Sequence, residues 1–256
     1  MLISRRPMAI RLQRWSLARL GYGNDNPVTN GEYRLLEELP ESPTVFDVGA
    51  HRGDYALAVL DRRESAIVHC FEPAAETFRI LENRIGSRAR LHRLALSDSS
   101  GTSTLFSDRN NSPMASLFHR DLGWFGIENS LREIVQTETL DEVCAAEDIG
   151  HIDLLKIDAE GAEHLVLIGA RRMLGERRIA RIVFEYGGTA LDSHFFIRDF
   201  YRLLDGCGFA LYRVLPEGLL PLGRYGEHLE VAQYSNYCAI LGTPPRSTVH
   251  PLRSAG

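Results

Sequence analysis

Three short apolar runs, at residues 44–48, 66–71 and 90–96, are separated by stretches whose apolar residues recur at helical spacing. Ala74, Phe78, Leu81 and Ile85 fall at i, i+4, i+7 and i+11, with Pro73 in front as a first helical residue and Gly86 behind as a stop. Alternation of strand and helix at this pace leaves few folds open. Parallel strands need crossover connections, and the helices that make them cover both faces of the sheet. The rhythm returns later, predicting strands at 152–157 and 179–185 and helices at 161–174 and 195–204. The last two apolar runs, 209–214 and 236–241, have no helical period between them, so a terminal antiparallel hairpin is expected. The fold class is α/β.

Residues 97–139 break the rhythm. They are rich in Ser, Asn, Asp and Gly, carry the scattered aromatics Phe106, Phe118, Trp124 and Phe125, and hold strand-like pieces at 103–106 and 132–137. This stretch reads as an insertion above the sheet edge that covers a ligand, or as a plain structural excursion. Ahead of the sheet, Thr29-x-x-Glu32 has the form of a capping box, and Leu35, Leu36 and Leu39 follow it, predicting a helix as far as Pro40. A helix over 8–20 scatters Ile10, Leu12, Trp15, Leu17 and Leu20 around its circumference, which suits a packing or dimer-contact arm better than a membrane anchor. The division expected is an arm at 1–40, one domain at 41–243 and a flexible tail at 244–256, with a homodimer as the partner reading.

The net charge of −5 is uneven, because residues 1–20 hold five arginines and no acid, leaving −10 on the rest. An acidic body argues against nucleic acid as partner. No run approaches the ~20 apolar residues of a membrane-spanning helix. Cys70, Cys144, Cys207 and Cys238 lie far apart in apolar or helical surroundings, as buried thiols of a reducing compartment do. The start lacks the apolar core and cleavage site of a secretory signal, so a cytoplasmic location is expected.

The first strand runs into Asp47-Val48-Gly49-Ala50-His51-Arg52-Gly53. In an open parallel sheet, ligands bind beyond the carboxyl ends of the strands. Gly49 permits a tight turn there and Gly53 a close approach at the helix start. The spacing is Gly-x-x-x-Gly, so the dinucleotide fingerprint is absent. Asp47 suits an ammonium group better than a pyrophosphate, and Glu72, ending the second strand, is placed to accept both hydroxyls of a ribose. An adenosyl ligand with an amino-acid end is S-adenosylmethionine.

A second group, Lys156-Ile157-Asp158-Ala159-Glu160, ends the fourth strand of the rhythm. Lys156 is the only lysine, against 28 arginines. Lys156 and Asp158 point to one face of a strand. Asp158 or Glu160 would act as general base toward an acceptor hydroxyl, with Lys156 orienting a carboxylate or a developing alkoxide. The same residues also serve a plainer reading, in which Asp158 caps the next helix and Glu160 and Glu163 favour its positive end. Asp158 and Glu185, each ending a strand, are a further possible pair for a hard divalent ion, which leaves the metal question open.

The chain resembles the FkbM-type family of methyltransferases. The resemblance rests on 45–55, Phe71-Glu72-Pro73 with Asn83, 94–98 with Gly101, 135–141, 152–170, 184–187 and Asn236-Tyr237, and spans about 44–241. It implies a Rossmann-like, seven-stranded sheet whose last strand is antiparallel, and transfer of a methyl group to a hydroxyl of a sugar, glycan or other small natural product. Asp47, Gly49 and Gly53 would then face the methionine end, Glu72 the ribose, and Ala95 and Leu96 the adenine. Ala50, His51, Pro73 and Asp158 complete the cofactor set, His51 standing where asparagine is more usual. A nucleotide-dependent oxidoreductase and a non-catalytic adenosyl-binding module are the alternatives on the same sheet.

Overall fold

A computed structural model describes residues 6–242; the tail expected at 244–256 lies outside them. In chain order the elements are α1 (Arg6–Arg19), β1 (Thr44–Val48), α2 (Asp54–Leu60), β2 (Ile67–Phe71), α3 (Ala75–Ile85), β3 (Arg90–His92), β4 (Ala95–Leu96), β5 (Gly101–Ser107), β6 (Leu131–Glu138) and α4 (Leu140–Ala146). They continue with β7 (Leu154–Ile157), α5 (Glu163–Ile168), α6 (Arg171–Gly175), β8 (Arg181–Tyr186), α7 (Ala190–Ser193), α8 (Ile197–Gly206), β9 (Phe209–Leu215), β10 (Gly218–Pro221) and β11 (Ser235–Leu241).

The main sheet has eight strands in the order β10-β9-β11-β8-β7-β1-β2-β3. β1 pairs in parallel with β2 on one side and β7 on the other. The chain therefore winds outward to β3 and then returns to the far side of β1, which places a topological switch point between β1 and β7. Alternation along the strands sends Phe46, Val48, Phe71 and Ile157 into one core and Val45, Val68, Cys70 and Leu154 into another, one on each face.

Four local expectations need correcting. β9 and β11 are antiparallel neighbours, as the sequence predicts, but they are not joined as a hairpin. β9 turns at Pro216-Glu217 into β10, which pairs on its outer edge and raises the strand count to eight. The run 90–96 is two strands, because β3 pairs with β2 while β4 pairs with β6 in a separate three-stranded sheet. The helix expected up to Pro40 is only a 3-10 segment, Tyr33–Glu38. Glu32 does not close a capping box; its carboxylate accepts from Asn236 Nδ2 at 3.3 Å. The helix expected at 161–174 is cut in two, because Asp141 accepts from the backbone N–H of Arg172 (2.7 Å) and Met173 (3.0 Å) and so starts α6 as a separate helix.

The segment after α1 is held to the sheet by Arg213, whose guanidinium lies between the rings of Tyr22 and Tyr237, 4.0 and 4.1 Å from their centroids. It donates to both hydroxyls, at 2.8 and 2.6 Å. α1 itself leaves Met8, Ile10, Leu12 and Trp15 exposed, and Leu20 just after it is exposed too. Among the described residues no helix is long and apolar enough to cross a membrane. All four cysteines are free thiols, and Cys70, Cys144 and Cys238 are buried.

Candidate active site

The carboxyl ends of β1, β2 and β7 meet around one cleft that opens to solvent. Gly49, His51, Glu72, Pro73, Ala95, Leu96, Asp158 and Glu160, all anticipated from the sequence, line it. The insertion contributes Ser112, Pro113, Ala115 and Leu117 to its wall.

Gly49 adopts φ +73°, and a Cβ there would lie 1.8 Å from the carbonyl oxygen of Asp158. The ends of β1 and β7 touch through this missing side chain. Gly49→Ala is expected to cost about 1–3 kcal/mol or more, since backbone must move to admit the methyl, and a lower urea midpoint would record it.

Glu72 is buried, and its two oxygens accept from the backbone N–H of His51 (3.0 Å) and of Ala74 (2.9 Å). Burial pushes its carboxyl up to about 7, against the pull of those two hydrogen bonds. His51, at φ +48°, offers its backbone to Glu72 and its ring to the carbonyl of Asn111 (3.4 Å) in the insertion.

Four anticipated residues, Asp47, Ala50, Gly53 and Lys156, lie outside its lining. Ala50 is buried in the core beside α2, away from the cleft wall. A Cβ on Gly53 would meet Leu81 and Ile85 at 2.8–2.9 Å, so this glycine admits α3 rather than a ligand. Asp47 is fully buried beneath the cleft floor, with its Oδ1 3.2 Å from Lys156 Nζ. The register explains the pairing, because Asp47 on β1 lies opposite Lys156 on β7.

Lys156 Nζ also lies 3.4 Å from Asp158 Oδ2 and 5.4 Å from the centre of the Tyr55 ring. Burial by itself would strip this ammonium of its proton, but Asp47, Asp158 and Glu32 hold the proton on and raise its pKa well above the ordinary lysine value. Glu32, Lys156, Asp158, Glu185, Tyr234 and Asn236 surround a second, much smaller cavity. Asp158 lines both cavities. Glu160, at φ +50°, is held by Arg120 Nη1 at 2.6 Å, and burial together with the Asp158 charge pushes its carboxyl up to about 8. Arg120 comes from the insertion and also lies 3.7 Å from Asp192. Of the two acids expected as a metal pair, Asp158 is met by Lys156 Nζ at 3.4 Å, and Glu185 lines the smaller cavity beside it, where burial and the Asp158 charge raise its carboxyl well above the ordinary value. Glu163 turns inward and accepts from the backbone N–H of Ala159 and Gly161 at 3.0–3.1 Å, shaping the loop. His164 stacks on Phe195, with centroids 4.4 Å apart, as a core residue does.

Arg120, Glu32 and Tyr234 are the members of this site that sequence reasoning missed. Only the capping-box glutamate at position 32 carries a signal, and its spacing from Thr29 points to a local partner.

The family model for the methyltransferase FkbM domain matches residues 47–211, from the floor of the cleft to β9. The chain belongs to the FkbM methyltransferase family. Its relatives include the 2-O-methyltransferase NoeI of Sinorhizobium fredii, 28% identical over 197 residues, covering 72% of this chain and 79% of that protein. The 31-O-demethyl-FK506 methyltransferase FkbM of Streptomyces tacrolimicus is 33% identical over 161 residues, covering 52% of this chain and 61% of that one. A crystal structure of methyltransferase FkbM from Methylobacillus flagellatus has 13% identity and a TM-score of 0.48, over 77% of this chain and 44% of that one. Membership of the FkbM family makes the protein a methyltransferase, with S-adenosylmethionine as the implied methyl donor. The dinucleotide-dependent alternative, already disfavoured by the glycine spacing, falls away.

Proposed function

We propose that this enzyme transfers a methyl group from S-adenosylmethionine to a hydroxyl of a sugar, glycan or natural-product acceptor. The domain proposed to do so spans 41–243 with its insertion at 97–139, preceded by an arm at 1–40. The observation that carries the reading is the placement of Glu72 and Asp158 across one cleft, each ending a strand beside the switch point.

The residues fit the donor. Glu72 has both oxygens fixed by backbone donors and keeps lone pairs for two ribose hydroxyls. Leu94, Ala95 and Leu96 give an apolar wall for an adenine, and Gly49 and His51 form the turn beside the amino-acid end. S-adenosylmethionine supplies an electrophilic methyl carried on a sulfonium.

Asp158 is the residue that takes the acceptor proton. Its carboxylate lines both cavities, with Lys156 Nζ 3.4 Å away. As the acceptor oxygen loses its proton to Asp158, the Lys156 ammonium stabilises the charge that develops on oxygen. Glu160, fixed by Arg120, orients the acceptor from the insertion side. Holding the hydroxyl in line is the larger share of the task.

The test is incubation with isotopically methyl-labelled S-adenosylmethionine and a panel of hydroxylated sugars, glycans and natural products, with the product located by mass spectrometry. O-methylation that Asp158→Asn reduces by about 100-fold or more, as loss of a general base does, with S-adenosylhomocysteine affinity kept, is the expected result. Undiminished transfer by this variant would return Asp158 to a structural role.

A further inference from the structure

Below the adenine wall, on the far side of β2 from Asp47, three potential ligands converge from three elements: His69 in β2, His92 in β3 and Glu147 immediately after α4. One donor atom from each lies within 4.8 Å of the others. His69 Nδ1 is 3.2 Å from His92 Nε2 and 3.8 Å from Glu147 Oε2, and Glu147 Oε1 is 3.8 Å from His92 Nδ1. Among the described residues no other group of three such side chains comes this close. We propose that His69, His92 and Glu147 bind one late first-row divalent cation of the Zn²⁺ type, at a site separate from the methyl-transfer cleft.

The spacing fits such an ion. With metal–ligand bonds of about 2.0–2.1 Å, a tetrahedral site separates its donors by about 3.3–3.4 Å. The pair at 3.2 Å is already there; Glu147 Oε2 stands 3.8 Å from His69 Nδ1, and since the three donors lie within 4.8 Å of one another the carboxylate has to draw in toward the two nitrogens. Two imidazoles and one carboxylate select Zn²⁺, Co²⁺ or Ni²⁺ over the hard ions Mg²⁺ and Ca²⁺. The imidazoles are held at fixed angles by neighbouring rings, His69 against Phe46 at 4.8 Å and His92 against Phe71 at 4.5 Å between centroids.

The two rings are nearly parallel, at 9°, with centroids 5.4 Å apart. Together with the short N···N distance, this describes rings side by side sharing one hydrogen bond. Binding requires the shared proton to move to the outer nitrogen of its ring, a change of tautomer. Glu147 is partly exposed, so water completes the coordination from the solvent side.

Arg90 Nη1 now sits 2.8 Å from Glu147 Oε2, but its side chain is half exposed and free to swing into solvent. Arg90 is therefore a built-in competitor for the carboxylate. The consequence for the fold is local. β3 is a three-residue edge strand, and Leu94–Leu96 of the cleft wall follow it directly. A cation here clamps that edge to β2 and to the end of α4.

The experiment uses the full chain stripped with chelator, titrated with ZnCl₂ by calorimetry and with Co²⁺ by visible absorption. One ion per chain is expected, with a Co²⁺ spectrum of low-symmetry, tetrahedral type. Changing a residue behind a metal ligand costs about 10–100-fold in affinity. Removing a ligand, in His92→Gln or Glu147→Gln with an unchanged far-ultraviolet circular dichroism spectrum, should therefore cost roughly 100-fold or more. Arg90→Ala should tighten binding. Absence of stoichiometric binding by the parent chain overturns the proposal, as does binding that both ligand variants leave intact, which would place the ion on other histidines.

Discussion

Lys156→Met is expected to lose about 3–5 kcal/mol of folding stability, the cost of leaving one charge of a buried pair uncompensated. Asp47 is fully buried, and Lys156 Nζ, at 3.2 Å, is the cation that faces it. Burial already raises the Asp47 carboxyl, and Lys156 is the largest influence holding it down. Without the ammonium, Asp47 must either stay charged in an apolar setting or take a proton. In the variant its folded pKa therefore rises further above the unfolded value. A carboxyl raised in this way binds more protons folded than unfolded, so stability falls as pH rises from the unfolded pKa toward the folded one. The deficit of Lys156→Met should be larger at pH 8 than at pH 5. Adding Asp47→Asn should recover most of the loss, because a pair removed together leaves no orphan charge. Urea denaturation of the two single variants and the double variant at both pH values decides the matter. A Lys156→Met protein within 1 kcal/mol of the parent would mean that Asp47 is neutral to begin with.

That partnership shows where a single sequence stops being legible. β1 is readable to the residue, because an apolar run flanked by Pro43 and Gly49 fixes both its ends. The same holds for Glu72, whose place follows from the end of β2. The pairing of Asp47 with Lys156 is different. It depends on β7 returning to lie against β1, and no local pattern encodes which strand comes back to which. The side chain best matched on paper to a ligand ammonium is instead spent on an ammonium of the chain. Glu32 misleads for the same reason. Its spacing from Thr29 is that of a capping box, yet its partner Asn236 is 204 residues away. Long-range partners outbid local ones wherever the fold buries a polar group. The loss of the long helix at 161–174 has this origin too, since Asp141 reaches in from another helix to cap α6. Arg120 lay in a stretch without periodicity, where one arginine among 28 carries no distinguishing mark.

Replacing Glu72 is expected to weaken S-adenosylmethionine binding by roughly 10- to 150-fold. Hydrogen bonds to a charged group contribute about 1.5–3 kcal/mol, and each 1.4 kcal/mol is about a decade in affinity. Both Glu72 oxygens already accept backbone N–H groups, from His51 and Ala74. Glu72→Ala therefore loses the ribose contact and also orphans two buried donors that shape the cleft. Glu72→Gln separates the two effects. Its amide keeps one acceptor but turns an NH₂ toward a backbone N–H, so it too must bind more weakly, while its thermal stability should exceed that of the alanine variant. The pH dependence adds an independent sign. Burial raises the parent carboxyl to about 7, and the ribose hydroxyls favour the ionised form, so ligand binding drives a proton off Glu72 at and below that pH. Affinity for S-adenosylhomocysteine should fall as pH drops from 8 to 6 in the parent and stay flat in Glu72→Gln. Calorimetry in buffers of different ionisation enthalpy reads both the affinity and the proton release. Equal affinity in a folded Glu72→Ala protein, or a parent whose binding releases no proton near pH 6.5, would remove Glu72 from the adenosyl site and leave it the architectural task of holding the first loop.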